Sequence, residues 1–512
     1  MEKLYNNIIL EDGFREEPSD AQNVPYLINP PEIIDINVGR QLFVDDFLIE
    51  ETDLVPQYHQ AKKFEANPIL YPEKEWERED GPVACPKSGG VWYDEEEKIF
   101  KMWYEASWCK NMCYATSKDG IYWERPNLDI EEGTNKILTY EGYEYQKWHD
   151  GLSYLRPDST TVFIDYNCPK EEKYKLFLRN PGGDYHGIAA VSGDGIHFDK
   201  FKFTSKVHDR STIFYNPFRK KWVYSIRTIL PLPDNESWRR RRYRECDDYL
   251  EGATWTEDDE KLWMSCDKLD LPDPYIRTTP HLYNVDCVGY ESIMLGMFQI
   301  MYGPENAETT GRGIPKITEL IPMYSRDGYH FSRPSREPFI KASRVKGTWD
   351  RGYVQCVGGV TIIHGDELWI YYIGFEGDET VTKPPVKTVS GTYYNGATGL
   401  AKLRRDGFVS MNGKGTLLTR KLQFNGKHSM FVNAVGTVLA EILDESGEVM
   451  GKSSVFCGDS TKAEFIFDNL KIYDLNGKVI RIKFYVDGKL YSFGFADKNG
   501  DFGGAHAAGV VE

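Results

Sequence analysis

MCYATSKDGIYWERP, residues 112–126, is a short apolar strand that runs into a Ser-x-Asp-Gly turn and then an aromatic residue. The same ending returns in GIAAVSGDGIHFDK (187–200), ELIPMYSRDGYHFSRP (319–334) and TGLAKLRRDGFVSM (398–411). RRRRYRECDDYLEGATW (239–255) has Asp247-Asp248 in the corresponding place. Asp-Gly favours tight turns because Gly, and often Asp, tolerates positive φ. Working outward, each turn is preceded by an apolar strand, a charged turn and an aromatic strand. These are GGVWYDEEEKIFKMWYEA (89–106), TTVFIDYNCPKEEKYKLFLRN (160–180), STIFYNPFRKKWVYSIRTI (211–229), LYNVDCVGYESIMLGMFQIMYG (282–303) and GGVTIIHGDELWIYYIGFEG (358–377).

The turns recur 53 to 80 residues apart. Short strands with turn signals between them are an all-β pattern. A repeated strand meander buries its faces only against neighbouring copies, and closing the ring removes exposed edges. Five copies therefore predict a five-bladed β-propeller. An irregular set of hairpins in two sandwiches would not repeat one turn at the end of otherwise dissimilar copies. Helix is expected to be scarce, because Pro and Gly interrupt nearly every candidate run.

After Met411 the pattern changes. GTLLTRKLQFNG (415–426), SMFVNAVGTVLAEILDESGEVM (429–450), KAEFIFDNLKI (462–472) and VIRIKFYVDGKLYSFGFAD (479–497) are apolar or alternating strands joined by short polar turns. They predict an antiparallel β-sandwich, with Leu470–Tyr473 and Asn476-Gly477 forming a hairpin. The expected domains are an extended N-terminal arm (1–38), the propeller (39–410) and the sandwich (411–512).

A chain of 512 residues has room for two domains, and an aromatic fraction of 14% supplies ample core. The net charge of −17 argues against a nucleic-acid partner, which needs a clustered positive field. No run of eighteen apolar residues exists, so no membrane span is expected. The acidic N-terminus lacks the basic and apolar regions of a signal peptide. The nine cysteines form no CxxC pair and read as reduced, buried thiols. Both features lead to a cytoplasmic expectation. A homo-oligomer is compatible with the sequence.

The innermost strand of each propeller blade lines a central channel, so acids just upstream of those strands converge. Four blades offer one: Asp80 in ERED-GPVACP, Asp150 in QKWHD-GLSYLR, Asp209 in KVHD-RSTIFY and Asp350 in TWD-RGYVQC. Blade four departs from the pattern, with Tyr275, Asp286 and Glu291 nearby. Any one of these acids also fits an Asx-turn cap; the set of four suggests a site.

Convergent carboxylates suit glycosidic-bond chemistry, one protonated as acid and another ionised as nucleophile or base. Burial and repulsion push their pKa values apart. With His149 and His208 the same acids could instead hold a divalent metal; no cofactor is required by the sequence, and a structural cation in the channel is compatible with it. Trp76, Trp108, Trp148, Trp238 and Tyr275 lie in polar segments where ring faces could stack on sugar. Arg239, Arg240, Arg241, Arg242 and Arg244 form an unusual basic run in an acidic chain. It could clamp an anionic sugar or simply be a solvated flank. Glu245 is a candidate acid, although its alignment with the other turns places it on the outer half of its blade. The chain contains no P-loop, HExxH, GxSxG or strand-linked GxGxxG motif.

GRQLFVDDFLIEE (39–51), HQAKKFEANPIL (59–70), LRRDGFVSM (403–411), GTLLTRKL (415–422), CGDST (457–461) and KLYSFGF (489–495) resemble a group of bacterial family-32-like and family-43-like glycoside hydrolases. The resemblance runs from about residue 39 to 500. It implies a five-bladed propeller followed by a β-sandwich, as in invertases and levanases. It also implies three pocket carboxylates: a nucleophilic Asp, a transition-state Asp and a Glu acid. Asp80 matches the first and Asp150 the second. Glu245-Cys246 matches a Glu-Cys fragment in a different context. The invertase signatures WMNDPNG, RDP and EC-P are absent, so β-fructosidase activity is not implied.

The expected activity is cleavage of an oligosaccharide, with Asp80, Asp150, Asp209 and Glu245 as catalytic candidates. Trp76, Trp148, His149, His208, Arg210, Tyr275, Glu291, Asp350 and Arg351 are the candidates for substrate contact. A non-catalytic sugar-binding propeller remains open. So does a phosphorylase, for which Arg210 or Arg351 could hold phosphate, or a lyase on the same fold.

Overall fold

The structure, a computed structural model, describes residues 2–11, 21, 24–79, 81–139, 158–179, 186–231, 237–381 and 390–511. Its architecture is all-β: five antiparallel sheets follow one another as the blades of a propeller, and a further sheet lies beyond them. Among the described residues only Pro25–Ile28 and Asn306–Arg312 are α-helical. No described helix is long and apolar enough to cross a membrane.

Blade one runs outward from Ala84–Cys85 and Val91–Asp94 through Ile99–Ala106 and Asn111–Ser117 to Lys136–Thr139. Blade two comprises Asp158–Ile164, Tyr174–Arg179, His186–Ser192 and Asp199–Lys206. Blade three comprises Thr212–Asn216, Lys221–Pro231, Ser237–Cys246 and Lys261–Ser265. Blade four has His281–Glu291, Ile293–Gly303 and Ile317–Ser325. Blade five has Gly352–Cys356 with Ile362–His364, then Glu367–Phe375 and Gly396–Arg404.

Hydrogen bonds join successive inner strands around the axis. Trp92 Nε1 donates to the Val162 carbonyl, Arg210 N to Ser159 Oγ, Thr212 Oγ1 to the Val285 carbonyl and Val91 N to the Gly358 carbonyl. The outermost strand of blade five is Lys62–Lys63, from the beginning of the chain, paired with Ala401 and Lys402. Strand exchange between the two ends of the repeat thus ties the ring shut.

The recurrent turn has one structure in three blades. Ser117, Ser192 and Ser325 Oγ accept from the glycine N–H three residues on, at 2.8–2.9 Å. Asp119, Asp194 and Asp327 Oδ1 accept from the N–H three residues on, at 2.7–2.8 Å. The turn also docks on the neighbouring blade: Tyr371 Oη donates to Gly120 O and Trp103 Nε1 to Gly195 O. A Cβ at Gly120 would lie 2.6 Å from Tyr371 Oη, so the glycine serves both the positive φ and the close approach.

In the last sheet Ser429–Leu443 and Arg481–Ala496 pair along nearly their whole lengths, flanked by Val409–Thr419 and Phe456–Phe465. Gly413, Gly488, Gly436 and Gly458 stand side by side across these four strands, all with φ between 101° and 150°. Met430, Val432 and Ala434 before this row share one apolar core with Val438, Ala440 and Ile442 after it. The sheet therefore folds over along the glycine row and encloses its own core, which makes it a sandwich. A Cβ at Gly488 would meet the Val435 carbonyl at 2.1 Å. Gly488→Ala is expected to cost at least the ~1–3 kcal/mol of a strained backbone conformation, read as a lowered urea midpoint with unchanged slope.

The expected boundaries at residues 39 and 411 are crossed in both directions. Gln41–Leu42, Ile49–Thr52 and Val55–Tyr58 add strands to the sandwich sheet, and Ile34–Asp35 pairs with Leu422–Gln423. Conversely, the end of the chain returns to the propeller. Ala505–His506 pairs with Tyr290 and Glu291 of blade four, and Val510–Val511 with Ile363–His364 of blade five. Between them Ala508 O accepts from Tyr93 N of blade one. This tail spans three blades at the far ends of their inner strands. Ile472–Leu475, expected as part of a hairpin, is a 3-10 turn.

Candidate active site

The inner strands begin at one mouth of the ring, and four non-glycine residues there hold positive φ: Lys87 (44°), Ser159 (54°), Arg210 (64°) and Tyr353 (53°). Such strain persists only where surrounding structure enforces it, and it clusters at functional sites. They come from blades one, two, three and five.

Asp158 is the first residue of the inner strand of blade two. Its Oδ2 accepts from Arg179 Nη1 at 2.9 Å, and its Oδ1 from Arg210 Nη2 at 3.1 Å. Two guanidiniums favour the charged carboxylate. Cys109 Sγ lies 3.8 Å from the same Oδ1. Glu105, next to last in the second strand of blade one, accepts from Lys87 Nζ, and both side chains are buried. Lys87 Nζ also sits 3.9 Å from the centre of the Trp108 ring, which stacks on Tyr393 at 3.6 Å. One ligand atom each from Glu105, Cys109 and Asp158 falls within 4.8 Å of the others.

Asp209 immediately precedes Arg210. Its carboxylate pairs with Arg227 Nη1 at 3.0 Å and lies 3.9 Å from Arg239 Nη1. Burial opposes its charge, but Arg227, Arg239 and Arg210 outweigh burial and hold it below the usual carboxylate range. In blade four Tyr283 faces Lys316, whose Nζ is 3.3 Å from the phenol oxygen. Burial raises this phenol, yet Lys316, Arg239 and Arg210 bring it down overall.

Asp286, two positions along the same strand face from Asn284, lies deeper. Burial pushes it up to about 7, against the lowering effects of Ser88, Arg241, Arg210 and Asn284. Asn284 Nδ2 bonds both Asp286 Oδ2 (2.7 Å) and Ser88 Oγ (3.1 Å), which links blade four to blade one across the axis. Among the described residues this contact bridges the axis, and the C-terminal tail pairs with the far ends of the inner strands.

The sequence-predicted residues divide. Arg210 bonds Asp158, Asp209 pairs with Arg227, and burial and Arg227 lower the pKa of the neighbouring His208. Asp80, Trp148, His149 and Asp150 lie outside the described residues. Glu245 is six residues beyond Arg239, about 20 Å along an extended strand. It accepts from Arg219 Nη1 at 2.5 Å and lines a separate hollow of about 410 Å³ with Glu2 and Asp258. Trp76 donates to Asn135 within blade one at 2.9 Å. Tyr275 is 89% exposed. Glu291, at the far end of its strand, accepts from Arg40 N and Arg405. Asp350 is held by Lys63 of the outermost strand at 2.5 Å, and Arg351 by Glu379 at 2.7 Å. Glu291, Asp350 and Arg351 thus have their partners away from the Asp158 cluster.

Glu105, Cys109 and Asp158 could coordinate a metal ion. However, Lys87, Arg179 and Arg210 already provide three positive partners for the two carboxylates, and thiolate with carboxylates is a mixed soft and hard set. The arrangement fits a divalent ion poorly.

No protein-family model matches this sequence, and no curated protein matches it. Solved structures do show a likeness of fold. A glycosyl hydrolase from Bacteroides ovatus is 11% identical, with TM-score 0.42, over 71% of this chain and 96% of that one. A β-1,2-mannobiose phosphorylase from Listeria innocua is 10% identical, with TM-score 0.40, over 67% and 96%. A family-43 arabinoxylan arabinofuranohydrolase from Bacillus subtilis is 11% identical, with TM-score 0.37, over 86% and 99%. These similarities concern fold and carry nothing about chemistry.

Proposed function

We propose that the protein hydrolyses a glycosidic bond at the end of an oligosaccharide held in this pocket. The observation that carries the reading is the meeting of Glu105 and Asp158, from different blades, with oxygens within 4.8 Å in a strained, cation-lined pocket. Asp158, between two guanidiniums, suits the ionised role. Asp286, raised to about 7, is the described pocket carboxyl best placed by its environment to keep a proton near neutrality. The Asn284–Ser88 bond across the axis supports a chain end as substrate rather than a passing chain.

Incubation with a broad panel of oligosaccharides, followed by chromatography, is expected to show stepwise release of one small sugar from a chain end. Release of mid-chain fragments would remove the chain-end claim, and no release by folded protein from any linkage would remove the hydrolase reading. Phosphorolysis is a second reading, because Arg210 Nη1 is buried without a hydrogen-bond partner among the described residues. A requirement for inorganic phosphate, with sugar phosphate as product, distinguishes it.

A further inference from the structure

Among the described residues, the third and fourth blades place more cationic than carboxylate side chains beside Tyr283. Along Ser237–Cys246 the alternation of side chains sends Arg239 and Arg241 to one face and Arg240, Arg242 and Arg244 to the other. Arg242 accordingly bonds Glu260 at 3.1 Å, away from the channel. Arg241 stands directly opposite Arg227 in the neighbouring strand. Like charges so placed are destabilising, and Arg241 is fully buried, bonded only to carbonyls and Asn284 among the described residues.

Lys316, 3% exposed, contacts the Tyr283 and Tyr393 hydroxyls and no carboxylate among the described residues. Arg239 lies 4.7 Å over the Tyr283 ring, its Nη1 buried, 3.9 Å from Asp209 and without a hydrogen bond among the described residues. Against Arg227, Arg239, Arg241 and Lys316 stand Asp209 and the deeper Asp286. A buried cationic side chain without a counter-charge is costly unless something supplies one.

The neighbouring histidines feel the same field. Burial, Arg239 and Arg227 bring His281 down to about 4, and its Nδ1 accepts from Arg239 N at 3.2 Å. It therefore stays neutral and adds no charge of its own.

We propose that the pocket binds a sugar bearing an oxyanion, a carboxylate or sulfate or phosphate ester, with Arg239, Arg227 and Lys316 grouped around Tyr283 as its receptor. This rests on the reading of the pocket as a glycoside-cleaving site and specifies its substrate class. Guanidiniums match the paired oxygens of such groups and Lys316 adds a point charge. Arg239 Nη1, without a hydrogen bond among the described residues, is the donor available to the ligand.

The test is calorimetric titration of the full chain at low salt with uronate oligosaccharides, each paired with its carboxyl-reduced neutral counterpart. Sulfated and phosphorylated sugars and inorganic phosphate form separate arms. At least one anionic sugar is expected to bind tenfold or more tightly than its neutral partner, with the advantage shrinking as sodium chloride is added. Arg239→Met and Lys316→Met should remove that preference, and Arg242→Met should not. Lys316 is the more buried, so Arg239→Met carries the conclusion if Lys316→Met fails to fold.

Equal binding of both partners overturns the inference, as does unchanged selectivity in Arg239→Met or failure of every anionic sugar to bind. Binding of free phosphate alone also overturns it, in favour of phosphorolysis. Hydrolysis of neutral sugars without selectivity would sink this inference and leave the proposed activity standing. Anion-selective binding without turnover would do the reverse.

Discussion

Asp158→Asn is expected to lower turnover by roughly 10²–10⁴-fold, the usual range for losing a positioned acid–base group, while the protein still folds. Asparagine keeps the side-chain volume and one acceptor oxygen, so Arg179 or Arg210 retains a hydrogen bond. What disappears is the negative charge between two guanidiniums, which is what a nucleophile or a stabiliser of developing positive charge requires. Asp350→Asn supplies the control. It also removes a buried carboxylate from an ion pair, but its partner Lys63 lies on the outermost strand of blade five. Matched losses of thermal stability with turnover lost only in Asp158→Asn would tie the activity to the pocket. Equal turnover in the two variants would show that Asp158 does no chemistry.

Asp158 also shows how far the sequence can be read. The recurrent turn was legible because its cause is local: serine and aspartate bond to N–H groups within three residues, and glycine supplies the turn. The position of the site acids depends instead on where each inner strand starts. Blade two was expected to begin after Asp150, which lies outside the described residues; its inner strand is described from Asp158, which follows Pro157 in the sequence. A Pro-Asp pair before the run Thr160–Val162 was the available signal, since proline suits a strand entry and not its middle. Asp209 lies three residues before its strand, Thr212–Asn216, so its place beside the inner strand was legible.

Glu105 had no such signal. It is next to last in a second strand, where Lys87, at a kink in the first strand, bonds it. The same limit explains Asp350 and Glu291, whose partners Lys63 and Arg40 are 287 and 251 residues away in the chain. It also explains the domain edges: strands contributed by residues 41–58 and 505–511 are too short to announce which sheet they join.

The last Asp-Gly turn leads to the second large effect. Asp406 is fully buried where the propeller meets the sandwich. Its carboxylate accepts from Arg40 Nη1 at 3.0 Å, Ser492 Oγ at 2.6 Å, Asn433 Nδ2 at 3.2 Å and the Tyr290 hydroxyl. These partners come from the segment before the blades, from the sandwich and from blade four, so one side chain joins three parts of the fold. Asp406→Ala leaves Arg40, itself 4% exposed, without that counter-charge. The expected loss is about 3–5 kcal/mol, the range for breaking a buried pair by removing one partner. Arg40→Met combined with Asp406→Leu should recover part of it, because the unpaired Arg40 charge is gone while the Ser492, Asn433 and Tyr290 donors still lack their acceptor.

Acid should act on the same group. Burial raises Asp406, but Arg40 and Arg405 outweigh burial and hold its pKa below the ordinary carboxylate value. A depressed folded pKa gives stability that is fully present above the unfolded value of about 4. It is lost as pH falls through the lower folded value. Urea unfolding of the wild type should therefore weaken below about pH 4 more steeply than that of the Arg40→Met, Asp406→Leu double variant. Identical pH profiles for the two, or a loss under ~1 kcal/mol in Asp406→Ala, would mean that the junction is held by its apolar contacts and not by this carboxylate.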